Sequence, residues 1–331
     1  VDALVGAVDE AYPRLAHRYY ALKAKWLGLE KLEHWDRNAP LPGVEARKID
    51  WEQGKEIVRT AYAGFDPALG EIVQKFLTHP WIDAAPVAGK SSGAFSHSCV
   101  PSVHPYILMN YRGQPRDVMT LAHELGHGVH QTLAGKTQGY LNADTPLTLA
   151  ETASVFGEML TFQSLLDAES DLKRRRHMLA AKVEDMLNTV VRQIAFYQFE
   201  VKVHDERAKG ELSPERLGEI WREVQVRSLG PAFHFTPDYD LYWSYIPHFV
   251  HSPFYVYAYA FGDCLVNALY GVYQEKPEGF AAKYRIMLEA GGTLRHKELL
   301  APFGLDATDP GFWRKGLDVI SGLIDQLEQE D

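Results

Sequence analysis

One short motif constrains this chain more than any other: His123 and His127 lie four residues apart, with Glu124 beside the first histidine. The flanking residues have the apolar spacing of a helix, and side chains four apart on a helix share one face. The two imidazoles can therefore bind one metal ion, and Glu124 is placed to take a proton from a metal-activated water. The motif predicts a zinc-binding helix that carries a general base.

A catalytic zinc ion usually has three protein ligands, so the sequence should offer one more. The residue six positions after His127 is Leu133, which cannot bind metal. Glu151 is a better candidate, because it lies in a second helical pattern that follows a glycine-rich, polar connection. Glu158, seven residues further on, shares its helix face and could hold the free N–H of a ligating imidazole. We predict one Zn²⁺ ion bound by His123, His127 and Glu151.

The composition is that of an ordinary globular protein, with 46% hydrophobic and 24% charged residues among 331. A formal net charge of −10 argues against nucleic acid or an anionic membrane as a partner. No apolar run approaches the length of a membrane span, and no signal sequence is visible. The two cysteines, Cys99 and Cys264, are far apart, which indicates free thiols in a reducing compartment. We therefore expect a cytoplasmic protein.

Helical periodicity dominates the rest of the sequence. It predicts helices over 1–32, 51–64, 67–79, 171–209, 214–227, 280–290 and 310–327, with a further helix inside 247–273. Short β-type runs between glycines and prolines predict a small antiparallel β element at 86–111. The expected class is mainly α. One domain, 1–331, would then comprise a helical lead-in (1–85), the β element (86–111), the zinc-site helices (112–166) and a helical C-terminal part (167–331).

The segment 243–259 concentrates histidine and tyrosine, and contains His248, Tyr255, Tyr257 and Tyr259. Zinc-dependent hydrolysis builds negative charge on the attacked carbonyl, and tyrosine O–H and histidine N–H groups are suitable donors to it. A single tyrosine in such a run is more often a packing residue, but the set as a whole favours a function. The sequence leaves open which tyrosines face the metal, because helical and strand phases give different answers.

Several motifs together resemble those of the M3 peptidases, most closely the oligoendopeptidase F branch. The matching stretches are GAF at 93–95, HPYILMNY at 104–111, DVMTLAHELGHGVH at 117–130, LAE at 149–151, IPHF at 246–249, PFYVYAYA at 253–260 and WRKG at 313–316. The likeness covers nearly the whole chain, and the motifs together are far more specific than the histidine pair alone.

The resemblance implies a thermolysin-like zincin of the gluzincin type, a mainly helical zinc endopeptidase that cuts short oligopeptides. It would assign zinc to His123, His127 and Glu151 and the general base to Glu124. Glu158 matches an acidic position of the family on the same helix. These assignments agree with those made from the residues alone.

The same resemblance places the transition-state donors on His248 and in the run that contains Tyr255 and Tyr257. Members of the family are considerably longer, with an N-terminal helical domain that forms one wall of a substrate channel. The resemblance therefore implies that the N-terminal part is absent from this chain or is a separate chain.

Three functions are consistent with the sequence, and the leading one is an endopeptidase that acts on oligopeptides. A zinc exopeptidase would need a charged pocket for a terminal amine or carboxylate, and no motif for one is visible. A peptide-binding or regulatory fragment without turnover is favoured by the short length. The complete set of chemical residues opposes that third interpretation.

Overall fold

The structure, a computed structural model, describes residues 1–43 and 47–329, except for the side chains at 147 and 148. The α-helices are α1 (Asp2–Ala11), α2 (Arg18–Leu27), α3 (Trp51–Phe65), α4 (Pro67–Thr78), α5 (Pro115–Gln138), α6 (Leu147–Ala150), α7 (Thr152–Ala168), α8 (Leu172–Thr189), α9 (Val191–Arg207), α10 (Pro214–Leu229), α11 (His248–His251), α12 (Tyr257–Glu275), α13 (Phe280–Glu289), α14 (His296–Leu300) and α15 (Pro310–Gln329). The strands are β1 (Leu32–Glu33), β2 (Ile82–Asp83), β3 (Phe95–His97), β4 (Tyr106–Leu108) and β5 (Phe233–His234). A π-helix spans Pro13–His17, and 3-10 helices span His34–Asn38, Pro237–Tyr245 and Ala301–Phe303. The mainly helical class expected from the periodicity is confirmed.

The chain forms two compact units that do not follow its order in sequence. The first unit consists of Val1–Val44, Asp171–Ala268 and Thr308–Asp331. The second unit consists of Glu45–Ser170 and Leu269–Ala307. Each unit is therefore built from segments that are far apart in the sequence. Across residues 1–43 and 47–329, no helix combines the length and apolarity needed to cross a membrane.

The helical run predicted over 1–32 is interrupted at Pro13 and ends at Gly28. Proline has no N–H to donate and its ring crowds the preceding turn, and here a π-helix begins at Pro13 between α1 and α2. Gly28 ends α2 with φ of 68°, a left-handed conformation that glycine adopts without steric cost. Beyond it, β1 pairs in parallel with β5 in the first unit, a contact that the helical pattern did not predict.

The pattern predicted as one helix over 171–209 forms two helices, α8 and α9, which meet at Val190. Three β-branched residues in succession, Thr189, Val190 and Val191, lie at this junction, and such side chains lose rotamer freedom in a helix. The hydroxyl of Thr189 also donates to the carbonyl of Asp185 at 2.9 Å, a bond that favours bending. Buried apolar residues continue at helical spacing on both sides, so the periodicity alone does not reveal the break.

A three-stranded sheet precedes α5 in the second unit. β3 runs antiparallel to β4, as the sequence predicts, and Ser96 lies opposite Ile107. β2 pairs in parallel with the other side of β4, and at two residues it is too short to carry an alternating pattern. β3 therefore lies at an edge of the described sheet. Gln131 of α5 donates to the carbonyl of Ser96 at 3.1 Å and accepts from its hydroxyl at 2.8 Å, which holds this strand along α5.

Helices α5 and α7 approach closely because α5 has a glycine at the contact. A Cβ at Gly126 would lie 2.4 Å from the carbonyl oxygen of Ala153 and 2.6 Å from Cα of Ser154. Tyr62 of α3 closes the same contact, since its hydroxyl donates to a backbone carbonyl of α5 at 2.7 Å. A Cβ at Gly157 of α7 would lie only 1.7 Å from that hydroxyl. Gly126 and Gly157 thus allow α3, α5 and α7 to pack closely around the side chain of Tyr62.

We expect Gly126→Ala to destabilise the fold by about 1–3 kcal/mol, the usual cost of overpacking, because the atoms that a Cβ would meet belong to the backbone. Denaturant unfolding measures the change. Gly64→Ala is the matched control in the same unit, because a Cβ at Gly64 in α3 would meet nothing within 4 Å. An equal loss of stability in both variants would contradict this view of the contact.

Candidate metal centre

His123 and His127 lie one turn apart on α5. Their Nε2 atoms are 3.1 Å apart. Leu121, Leu125 and Val129 of the same helix are buried, and this apolar face fixes the rotation of α5 about its axis. The paired imidazoles expected from the spacing are therefore close enough to share one ion.

The sequence pattern predicts that Glu151 lies inside a helix. In the structure it lies instead at the junction between α6 and α7. Its backbone has φ of −83° and ψ of 2°, and its carbonyl accepts the N–H of Val155 at 3.1 Å to start α7. Its Oε2 lies 3.3 Å from Nε2 of His123 and 3.4 Å from Nε2 of His127. The hydroxyl of Ser154 donates to the same oxygen at 2.7 Å and so holds the carboxylate in place.

The three atoms form a triangle with edges of 3.1, 3.3 and 3.4 Å. Ligands at about 2.0–2.1 Å from a tetrahedral metal ion stand about 3.3–3.4 Å apart, because the edge of a tetrahedron is about 1.6 times its centre-to-corner distance. Within the described part of the chain, His123, His127 and Glu151 are the group of His, Cys, Asp or Glu residues that could hold a metal ion. The residues present fit three corners of a tetrahedral site.

Glu158 of α7 makes the contact with a ligand histidine that its spacing suggested. Its Oε1 lies 2.6 Å from Nδ1 of His123, which leaves Nε2 of that ring for a metal ion. Burial lowers the pKa of His123, but the bond to Glu158 and the nearby carboxylates outweigh burial and raise the pKa to about 9. The metal-free ring is therefore protonated at neutral pH, and a metal ion must displace a proton from Nε2.

Glu124 and Glu151 differ in their affinity for protons. Burial opposes ionisation of Glu151, but the imidazoles of His127 and His123 outweigh burial and lower the pKa of Glu151 to about 2. Burial raises the pKa of Glu124, which is 4% exposed. Oε2 of Glu124 is buried and has no hydrogen-bond partner within the described ranges. This oxygen is therefore available to a proton donor.

The histidine and tyrosine segment belongs to the first unit, whereas the metal-binding group belongs to the second. Nε2 of His248 lies 3.2 Å from the hydroxyl of Tyr259. The rings of His248 and Tyr255 are stacked, with their centroids 6.0 Å apart. Tyr257 instead contacts Tyr197 of α9, with the ring centroids 5.6 Å apart. The structure therefore groups His248 with Tyr255 and Tyr259.

A strained turn leads into this tyrosine run. Phe254 has φ of 60°, a left-handed conformation that is uncommon for any residue with a side chain. Its N–H donates to Oε1 of the buried Glu200 at 2.8 Å. Burial raises the pKa of Glu200, and the N–H of Phe254 opposes that rise. Glu200 thereby fixes the direction in which the chain enters α12.

Sequence reasoning missed three residues that shape these two regions: Ser154, Tyr62 and Glu200. Ser154 follows Glu151 by three residues, a spacing at which side chains meet at the start of a helix, so this contact could have been found. Tyr62 and Glu200 bond to residues 60 and 54 positions away. No local pattern points to contacts at such separations.

Comparison with known proteins gives the family. The sequence model of peptidase family M3 matches residues 1–319 of the 331 residues in this chain. Two histidines four residues apart on a helix, with a glutamate as the third group, are the metal-ligand set of a common class of metallopeptidases. The chain belongs to peptidase family M3, as its motifs indicate.

Curated relatives and solved structures agree with this assignment. Oligopeptidase PepF of Bacillus subtilis (strain 168) is 30% identical over 329 residues, covering 99% of this chain and 49% of that protein. An oligoendopeptidase F homolog of Lactococcus lactis subsp. lactis (strain IL1403) is 30% identical over 329 residues, covering 99% of this chain and 54% of that protein. A structure described as a peptidase, from Chlamydophila abortus, has a TM-score of 0.90 at 27% identity and covers 99% of this chain and 55% of its own. The chain spans about half the length of the curated relatives it matches.

We expect His123→Ala to lose bound metal and Glu151→Ala to weaken its binding strongly, because each variant removes one corner of the triangle. Glu158→Gln should keep one ion per chain but lower the affinity about 10–100-fold, since it weakens the group that orients His123. Metal analysis after dialysis and competition with a chelator measure these changes. The exposed Glu71→Gln on α4 is the control. Wild-type metal content in Glu151→Ala would rule out Glu151 as a ligand.

Proposed function

We propose that this chain is a zinc-dependent endopeptidase that hydrolyses peptide bonds within short oligopeptides. The observation that carries the proposal is the triangle of two imidazole nitrogens and one carboxylate oxygen, with edges of 3.1–3.4 Å, beside the buried Glu124. Membership of family M3 and similarity to proteins named oligopeptidase and oligoendopeptidase support it. Because the chain spans about half of those relatives, activity of this chain by itself is part of the proposal.

The donor set suits zinc, since two imidazoles and one carboxylate are a common combination in zinc hydrolases. When bound, zinc supplies a Lewis acid that polarises the scissile carbonyl and acidifies the attacking water. His123 and His127 would bind it through Nε2 and Glu151 through Oε2, while Glu158 and Ser154 orient two of these ligands. Two of these side chains lie on α5, and the other three lie on α7 or at the junction just before it, so the packing of α5 against α7 sets their geometry.

Glu124 would act as the general base. Its burial raises its pKa, which brings the carboxylate closer to the proton affinity that a base needs near neutral pH. Its unpartnered Oε2 can accept the proton of the attacking water. The same oxygen can then donate that proton to the amine of the leaving peptide.

His248 and Tyr257 would donate hydrogen bonds to the oxygen that becomes negative in the transition state, with Tyr255 as the neighbouring candidate. Tyr259 and Tyr255 contact the imidazole of His248 and hold its orientation. The ring of Tyr257 packs against that of Tyr197 instead. The support for these roles is the chemistry of the side chains and their motif resemblance to the family.

Oligopeptides are the proposed substrates, and the edge strand β3 supports them. An extended peptide can pair with a free strand edge through its backbone. Phe95 on β3 is 48% exposed and offers an apolar contact to such a peptide. Gln131 ties this strand to α5 one turn beyond His127, so a peptide on β3 would run beside the paired histidines.

A cytoplasmic location is also part of the proposal. Cys99 and Cys264 are free thiols, and Cys264 is fully buried. Burial raises the pKa of Cys264 well above its usual value, which keeps this thiol unreactive. Two unpaired cysteines fit a reducing compartment better than a secreted protein.

We expect Glu124→Gln in the zinc-loaded protein to keep its metal and lose turnover by about a hundredfold or more, because the amide cannot accept the proton. Internally quenched peptides report cleavage, and mass spectrometry of the products locates the cut. Glu71→Gln, an exposed change on α4, should retain full activity.

Near-normal turnover in Glu124→Gln would remove this residue from the mechanism. Wild-type protein that binds zinc and peptide without cleaving would favour the peptide-binding alternative. Release of terminal residues only would favour an exopeptidase. Cleavage at internal bonds is the result that the proposal requires.

We expect His248→Ala and Tyr257→Phe to lower kcat more than they raise KM, because the bonds they remove would exist only in the transition state. One lost donor should cost about 2–4 kcal/mol of transition-state stabilisation. Zinc content and Tm should stay near those of wild type, since neither residue is a ligand. Tyr255→Phe is the internal comparison: a larger loss of kcat there than at Tyr257 would transfer the role to Tyr255. A change confined to KM in all three would mean that the segment only binds substrate.

A further inference from the structure

A cavity of about 170 Å³ lies within the first unit, and none of the residues assigned above to zinc or to peptide hydrolysis lines it. Three basic side chains line it: Arg37 and His34 from the 3-10 helix after β1, and Arg192 from the first turn of α9. No aspartate or glutamate is among its lining residues. Burial lowers the pKa of His34, so the positive charge of the lining comes from the two arginines, in a chain whose formal net charge is −10.

Arg37 and Arg192 are half-buried, and charged side chains taken out of water are normally paired with an opposite charge. Neither Arg37 nor Arg192 forms an ion pair within the described residues, and Arg192 donates instead to the hydroxyl of Tyr245. Burial lowers the pKa of Arg192, and the positive charge of Arg37 lowers it further. The two cations therefore repel each other in a partly desolvated place, and an anion between them would relieve that cost.

Four hydrogen-bond groups on the lining residues are also unused. Nε of Arg37, Nε of Arg192, Nε1 of Trp221 and Nε2 of His34 are buried and have no partner in the described part of the chain. Three of them are donors in every state, and the fourth is a donor in one tautomer of His34. Trp221 and His34 are themselves 1% and 7% exposed. Such a concentration of unmet donors matches a ligand that carries hydrogen-bond acceptors.

Apart from Asn38, the remaining walls of the cavity are aromatic. They are formed by Trp35, Phe196, Trp221, Tyr239, Tyr242 and Tyr245. The guanidinium of Arg192 lies 4.8 Å from the ring centre of Phe196, so a cation and an aromatic face are adjacent in the same wall. Sites for drug-sized ligands measure about 300–1,000 Å³, so this smaller cavity suits a group of about one amino-acid residue.

We propose that this cavity binds a carboxylate carried by a single aromatic residue, either a free aromatic acid or the C-terminal residue of a peptide. The carboxylate would lie between Arg37 and Arg192, which can grip its two oxygens with paired N–H groups. The ring would pack among the aromatic walls. The site does not depend on the zinc chemistry, so its test and that of the peptidase can fail separately.

N-acetyl-phenylalanine and its neutral amide form the decisive pair of ligands, titrated into the zinc-loaded protein by calorimetry and by tryptophan fluorescence. We expect the acid to bind at least tenfold more tightly than the amide. Arg37→Gln and Arg192→Gln should each weaken the acid at least tenfold and leave the amide nearly unchanged. Arg192→Lys should lie between, because it keeps the charge and loses the planar fork.

Arg207→Gln, at the end of α9, is the matched control in the same unit and should bind the acid like wild type; circular dichroism checks that every variant is folded. Equal binding of acid and amide, wild-type affinity in the arginine variants, or no binding of the acid at millimolar concentration would overturn the proposal. Sulfate that competes as well as the acid would also overturn it, since the aromatic walls would then have no part. If N-acetyl-glycyl-phenylalanine binds more tightly than N-acetyl-phenylalanine, the ligand is the C-terminal end of a peptide. If it binds equally or more weakly, the ligand is a free aromatic acid.

Discussion

The close approach of α5 to α7 is the constraint on which the metal centre depends. Gly126 lies between the paired histidines and lets the first turn of α7 pack directly against α5. That contact brings Glu151 within 3.3–3.4 Å of both Nε2 atoms, and it lets Glu158, two turns along α7, reach Nδ1 of His123 from the other side. If α5 and α7 were further apart by the width of one methyl group, Glu151 and Glu158 would both lose their contacts with the histidines. Gly126 is therefore as important for the geometry of the metal centre as the metal-binding side chains.

Local spacing explains how much could be predicted from the sequence. The spacing of four residues between His123 and His127, and of seven between Glu151 and Glu158, was enough to predict the metal-binding group and the contact of Glu158 from the sequence. Longer periodic runs gave most of the helices. The prediction was wrong where a helix is interrupted by less than one turn, as at Val190 and at Glu151. It also missed β1, β2 and β5, because a strand of two residues is too short to show alternating apolar and polar side chains. The structure groups His248 with Tyr259 rather than Tyr257 and has a left-handed residue, Phe254, just before this run, neither of which the composition reveals.

Neighbouring carboxylates can serve opposite purposes when their surroundings differ. Glu151 faces two imidazoles and the Ser154 hydroxyl, so its pKa is lowered and it stays an anion. Glu124 lies on the same helix as those imidazoles, but burial dominates its environment and raises its pKa. The first arrangement suits a permanent ligand, and the second suits a group that exchanges protons. The fold thus gives two carboxylates of the same site different tasks.

The interleaved order of the two units has a consequence for biosynthesis. In the first unit, α15 packs against α1 and α8, and its Asp318 and Asp325 each reach an N-terminal arginine, Arg14 and Arg18, at 2.6 Å. Those arginines are translated some three hundred residues before their partners. The first unit therefore cannot close until α15 has been translated, and until then the part of α1 that α15 covers remains exposed. A chain of this topology should need protection by chaperones during translation more than a chain whose units follow one another in sequence.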